Sequence, residues 1–224
     1  EINWNADFKS GYQWDVQKHY TSIRWAGLPT GVDIKVPWEL SRCLHFSALG
    51  LADQITGDRK YYDEFKAEVR HWIISNPYPF GVNWACAMDV AMRAVNWINA
   101  AMLFRQRIED DHDDKFFEEL AEALWLAGRH VKRNLEWNGP RSAGAGNHLL
   151  ADLAGLLGVG LFFRHTQLGM KWFKSAQAWL EREMFEQVND DGSNFESSTY
   201  YHRMVHEMFQ WSDSVADQSG LPFS

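Results

Sequence analysis

The segment from Asn147 to Phe163 is apolar or glycine on nearly every side of a helix. A helix of that kind is stable only when other elements cover most of its circumference. The chain must therefore surround it, and the flanking sequence offers only helices for the purpose. From Pro37 the stripe Trp38, Leu40, Leu44, Ala48, Leu51, Ile55 predicts a helix that ends near Gly57. A second helix is expected over 59–75, stopped by Asn76-Pro77. A third, over 84–108, puts Ala87, Val90, Ala91, Ala94, Trp97, Ile98 and Ala101 on one face. A fourth runs from Asp113 to about Trp137, acidic at its start and basic at its end, as the macrodipole favours. After the apolar helix at 147 come one from about Leu168 to Val188 and one from Phe195 to just before Gly220-Leu221-Pro222.

No segment reads as a strand. Residues 1–34 form an irregular lead-in punctuated by Gly11, Gly27, Pro29 and Gly31. The fold expected for 35–224 is all-α, built of antiparallel helical hairpins joined by short connections. Two architectures fit: an open stack of hairpins, or hairpins curving into an incomplete α/α toroid. In the toroid, loops at 31–38, 77–84, 139–148 and 190–202 meet at one rim.

Composition narrows the partners. The 224 residues carry a net charge of −8, which argues against nucleic acid. A site for any anion must then be a locally basic cleft, because screening confines each charge to its neighbourhood. No apolar run approaches the roughly 20 residues that cross a membrane. Cys43 and Cys86 lie in apolar helical contexts and read as buried free thiols. Most of the 12 Trp belong to the interior. Trp4, Trp38, Trp84 and Trp137 fall at loops and helix ends, where a ring can also stack on a sugar.

Four polar constellations stand out. In the first, Asp191-Gly192 leads into a helix start carrying Glu196, Ser198, Tyr200, Tyr201, His202 and Arg203. Helix starts offer free backbone donors and a positive dipole end, which suit an anion. The purely structural alternative is a capped helix with buried aromatics. His202 and His206 have a metal-compatible spacing, but the pattern holds no third ligand. In the second, Gly144 and Gly146 present Asn147 and His148 at another helix start. Asn147 can donate from its amide and His148 can move protons, or the two can simply cap the helix. In the third, Gly81-Val82-Asn83-Trp84 precedes Asp89 and Arg93. Asn83, Trp84 and Arg93 suit a sugar cleft, while Asp89 and Arg93 also suit an i, i+4 ion pair. In the fourth, Lys35, Trp38 and Arg42 bring positive charge and a ring to one helix start, with Glu39 able to pair with Arg42.

Taken in order and spacing, Lys35 to His45, Gly81 to Trp97, Gly146 to Leu150 and Asp191 to His202 resemble the helical domain of the heparinase II/III family of polysaccharide lyases. The opening Asn3-Trp4-Asn5-Ala6-Asp7-Phe8 is similar too. The resemblance covers nearly the whole chain. It implies an α/α toroid that docks on a following β-sandwich, placed beyond Ser224. It also implies β-elimination on a uronic-acid-containing polysaccharide, in the periplasm or outside the cell, without metal or organic cofactor. In that pattern Asn147 neutralises the uronate carboxylate and His148 stands beside it as a candidate base. Tyr201 is the acid, and also the base where both groups leave on one face; a residue of the following domain is the alternative to His148 as base, and Tyr200 is the neighbour and rival of Tyr201. Asn83, Trp84, Arg93, Lys35, Trp38, Arg42, Glu196, His202 and Arg203 become the expected substrate-binding set.

Other functions remain open on residues alone. A glycoside hydrolase would need two carboxylates facing across a cleft, with Asp33, Glu39, Asp89, Asp191 and Glu196 as candidates. A non-catalytic polysaccharide-binding or polymer-processing module would use the same rings and cations. A helical protein-binding scaffold would use none of these polar groups.

Overall fold

The computed structural model describes residues 2–111, 113–141 and 146–224, excepting the Asp114 side chain. The fold is all-α, as expected. Nine helices are described: α1 (Lys35–Ser41), α2 (His45–Thr56), α3 (Lys60–Ser75), α4 (Ala87–Leu103), α5 (Arg105–Asp111), α6 (Asp114–Arg133), α7 (Asn147–Phe162), α8 (Gln167–Gln187) and α9 (Thr199–Gln218). They fall into two compact units, residues 1–126 and 127–224, and the division lies inside α6.

In the first unit the lead-in packs as part of the body. Strands β1 (Ala6–Asp7) and β2 (Tyr12–Gln13) form a small antiparallel hairpin that the sequence does not announce. It is pinned by Asp7, whose carboxylate accepts from the backbone N–H groups of Lys9, Ser10 and Asp33 and from the Ser10 hydroxyl at 2.6 Å. Those donors hold the carboxyl down at about 2. Asn76 does stop α3, and its buried side chain explains how. Its amide donates to Trp72 O at the helix end, while its Oδ1 accepts from Asn5 and Asn83.

Two helices expected to be continuous are broken. The 38–57 segment divides at Cys43, a non-glycine residue at φ 54°. Such a backbone costs roughly 1 kcal/mol and persists only where the surroundings enforce it. Here they do: Asn96 donates to Arg42 O, Trp72 donates to Ser41 Oγ, and Arg42 Nε reaches Asp89 at 2.6 Å. The 84–108 segment is a short 3-10 turn over Val82–Trp84, then α4, then α5. The second break falls at Phe104, fully buried and stacked on Phe65. Cys43 and Cys86 are buried and not joined in a disulfide, and burial pushes the Cys43 thiol up to about 12.

In the second unit, α7 is the covered helix that its composition demands. Leu149 through Gly160 are all buried, with α8 and α9 against it. Gly160 permits the close α7–α8 approach. A Cβ there would stand 2.6 Å from Phe173 N and 2.9 Å from Gly169 O, both backbone atoms that cannot move aside. Helix α6 ends at Arg133, short of Trp137, and α9 starts at Thr199 with Ser198 as its cap. No described helix is long and apolar enough to cross a membrane.

Candidate active site

The second unit contains all three expected catalytic residues. Asn147 is the first residue of α7, and its exposure is only 7%. Glu196 holds it from the loop before α9. The carboxylate accepts from Asn147 N at 2.9 Å through Oε1, and from the side-chain Nδ2 at 3.2 and 2.9 Å through Oε1 and Oε2. This is a charge-assisted clamp at the positive end of a helix. Gly146 makes room for it, since a Cβ at that position would lie 1.6 Å from Glu196 Oε1. Gly144 and Ala145, the rest of the expected glycine loop, lie outside the described residues.

His148 projects from the same helix start and is half-exposed. Its Nδ1 lies 2.6 Å from Glu136 Oε2, and Glu136 N donates to the buried carboxylate of Asp152 at 2.7 Å. A carboxylate on one ring nitrogen fixes the tautomer and orients the imidazole. Glu136 was not legible in the sequence: the fourth helix was expected to run on to about Trp137, whereas α6 ends at Arg133 and leaves Glu136 in the loop that follows.

Tyr201 lies in the first turn of α9, 37% exposed, with Tyr200 more exposed at 61% and edge-on to it. Ser198 Oγ accepts from Tyr201 N, so this serine is a helix cap. The Asn147–Glu196 contact ties the first residue of α7 to the loop that leads into α9. His202 is exposed, while Arg203 is engaged by Glu207 at 3.2 Å. Among the described residues, no third ligand joins His202 and His206.

The first unit treats its expected site residues differently. Trp38, Asn83, Trp84 and Arg93 are all buried, which corrects their expected direct contact with a sugar. Trp38 Nε1 donates to Val82 O, and Trp84 Nε1 donates to Asn76 O. Asn83 donates to Trp4 O and Asn76 Oδ1. Arg93 stacks 4.0 Å from the Trp72 ring centre and donates to Asn83 O. Burial pulls its guanidinium down to about 10. Asp89 pairs with Arg42 instead of Arg93 or Glu39 with Arg42, because α4 faces the α1–α2 break. Lys35 remains exposed at the start of α1. Of the four candidate platforms, Trp4 is also fully buried, and Trp137 alone is exposed, at 42%.

Fold and polar constellation together define an all-helical domain with a polar cluster at the start of α7. The family model for the heparinase II/III N-terminus matches residues 3–222, and the chain belongs to that family. A heparin-sulfate lyase of Bacteroides stercoris is 28% identical over 89% of this chain and 31% of its own length. A second, from Pedobacter heparinus, is 25% identical over 84% and 28%. The chain thus spans about a third of the length of these relatives. A mutant heparan sulfate lyase HepC from Pedobacter heparinus superposes with TM-score 0.69 at 23% identity, over 95% of this chain and 32% of that one. A heparinase III gives TM-score 0.69 at 20% identity, over 99% and 33%. These two likenesses establish the shared helical fold.

Proposed function

We propose that the protein containing this chain is a lyase for a uronic-acid-containing acidic polysaccharide, working by β-elimination. The observation that carries the proposal is the clamped Asn147 at the start of α7, with His148 beside it and Tyr201 on the adjoining helix start. The reaction removes the proton next to the uronate carboxylate, forms a carbon–carbon double bond and expels the glycosidic oxygen. The intermediate charge on the carboxylate must be stabilised by aimed donors, as in an oxyanion hole. An amide nitrogen carries two hydrogens. The two Glu196 oxygens lie on one side of the amide nitrogen and share one hydrogen, so the second N–H is proposed to face the substrate. His148, oriented by Glu136, serves as base, and Tyr201 protonates the departing oxygen. His202 and Lys35 are proposed to contact the polymer, whereas Glu196 acts through Asn147 as a positioning residue. A following β-sandwich is proposed to complete the cleft, and the location is periplasmic or secreted.

The test uses the chain and the longer protein that carries it. Either is incubated with heparan sulfate, alginate and hyaluronan while the ultraviolet absorbance of the unsaturated uronate is followed. Asn147→Ala and Tyr201→Phe should each lower the rate about 10²–10⁴-fold, the range of acid–base and electrostatic contributions. Full activity in both variants overturns the assignment, and binding without product in the longer protein selects a non-catalytic module.

A further inference from the structure

The carboxylates of this chain are unevenly distributed. The whole sequence holds 30 acidic and 22 basic residues, yet 127–135 and 164–180 contain Arg129, Lys132, Arg133, Arg164, Lys171 and Lys174 and no acidic residue. The structure joins these stretches. Lys132 Nζ donates to Ser175 Oγ at 3.4 Å, and a Cβ on Gly128 would meet Trp172, so α6 and α8 lie side by side in the second unit. Arg129, Lys132 and Arg133 share the outward face of α6, because residues three and four apart stand together and Ala127 and Val131 point inward. Lys171 and Lys174 share the outward face of α8, opposite the buried Trp172, Phe173 and Ala176. All six cations are exposed, and none has an ion-pair partner among the described residues. In the first unit, by contrast, the exposed Arg59, Lys60, Arg105 and Lys115 are paired with Asp111, Asp58, Glu109 and Glu119.

We infer that this α6–α8 face is a second binding surface for a sulfated polysaccharide strand, distinct from the Asn147 end of α7. The inference rests on the proposed function only for the nature of the polymer. Like charges crowded without counter-charges favour a partner that brings anions and releases condensed counterions. Arginine guanidinium forks match the planar oxygen pairs of sulfate and carboxylate. A thin strand can lie along the stripe alone. A flat anionic membrane would bring the rest of a −8 chain within the Debye length of about 8–10 Å and be repelled. Single-stranded nucleic acid relies on exposed aromatic platforms, and the rings inside this stripe, Trp172 and Phe173, are buried.

The probe is a fluorescein-labelled heparin oligosaccharide, with anisotropy measured against sodium chloride. The Asn147→Ala/Tyr201→Phe background prevents turnover. Replacing Arg129, Lys132, Arg133, Lys171 and Lys174 by Gln should weaken binding about tenfold or more at low salt and flatten the salt dependence. A charge-matched control, with Lys9, Arg24, Lys60, Arg105 and Lys115 replaced by Gln, should stay within about twofold if the effect is local. Lys132→Arg/Lys171→Arg/Lys174→Arg should retain binding, and circular dichroism should show all variants folded. Unchanged binding in the Gln variant, or equal weakening in the control, overturns the inference. So does tighter binding to phosphatidylserine vesicles or single-stranded DNA than to heparin. If the longer protein yields no unsaturated product but the Gln variant still loses heparin, the lyase reading fails and this surface stands.

Discussion

Four atoms of Glu196 and Asn147 decide the geometry of the candidate site, and one glycine makes their contact possible. Gly146→Ala would place a methyl where Glu196 Oε1 now sits. The expected outcome is a loss of about 1–3 kcal/mol in urea unfolding, the usual cost of forcing atoms into an occupied space. Under the proposed function the same variant should also slow formation of unsaturated product, since the evicted carboxylate no longer holds the Asn147 amide. Full stability and activity would show that Glu196 has another resting place. The placement of Asn147, His148 and Tyr201 at helix starts was legible because each follows a recognisable pattern. Their supports were not. Glu136 reaches His148 from a loop, and Glu196 reads as a substrate ligand until its oxygens are seen on Asn147. Asn83 and Arg93 misled for a related reason: a polar residue near a turn has the same local sequence whether its side chain faces a cleft or a buried carbonyl.

At the scale of elements, helix starts and close crossings carry the structure. Ser198 caps α9 through a long 3.4 Å contact to Tyr201 N. Ser198→Ala should therefore cost about 0.5–1 kcal/mol, at the lower end for a lost cap, read as a fall in the thermal midpoint. An unchanged midpoint would mean that packing alone orders this turn. Gly160→Ala sets two effects against each other. Alanine favours a helix interior over glycine by about 1 kcal/mol. Its methyl would, however, meet the backbone of Phe173 and Gly169. Overpacking against backbone costs roughly 1–3 kcal/mol, so net destabilisation is expected in the same unfolding assay. The existence of these helices followed from period and turn residues. Their interruptions at Cys43 and Phe104 did not, because bonds from α3 and α4 and a buried ring stack impose them.

For the whole molecule, acid exposes the charge design. Lys66 and Arg59 bond to Asp111 and hold its carboxyl down at about 2, as Ser10 and backbone donors do for Asp7. Lowered carboxyls bind fewer protons folded than unfolded, so stability rises with pH in the window between their folded and ordinary values. The stabilisation is fully present above the usual carboxylate range near ~4 and is lost as pH falls toward about 2. Thermal midpoints followed by circular dichroism should therefore drop steeply across that window. Asp111→Asn should lower the midpoint at neutral pH and flatten the acid slope, and an unaltered slope would dismiss this network as the cause. An all-α chain with a covered helix at 147–162 was determined by sequence alone, since a period of 3.6 and a stop at Asn76-Pro77 are local properties. The choice of Arg42 over Arg93 for Asp89, the inward turn of Trp38 and Trp84, and the meeting of α6 and α8 cations were decided only by tertiary structure. Burial and ion pairing depend on which distant segment arrives alongside, and no local pattern records that.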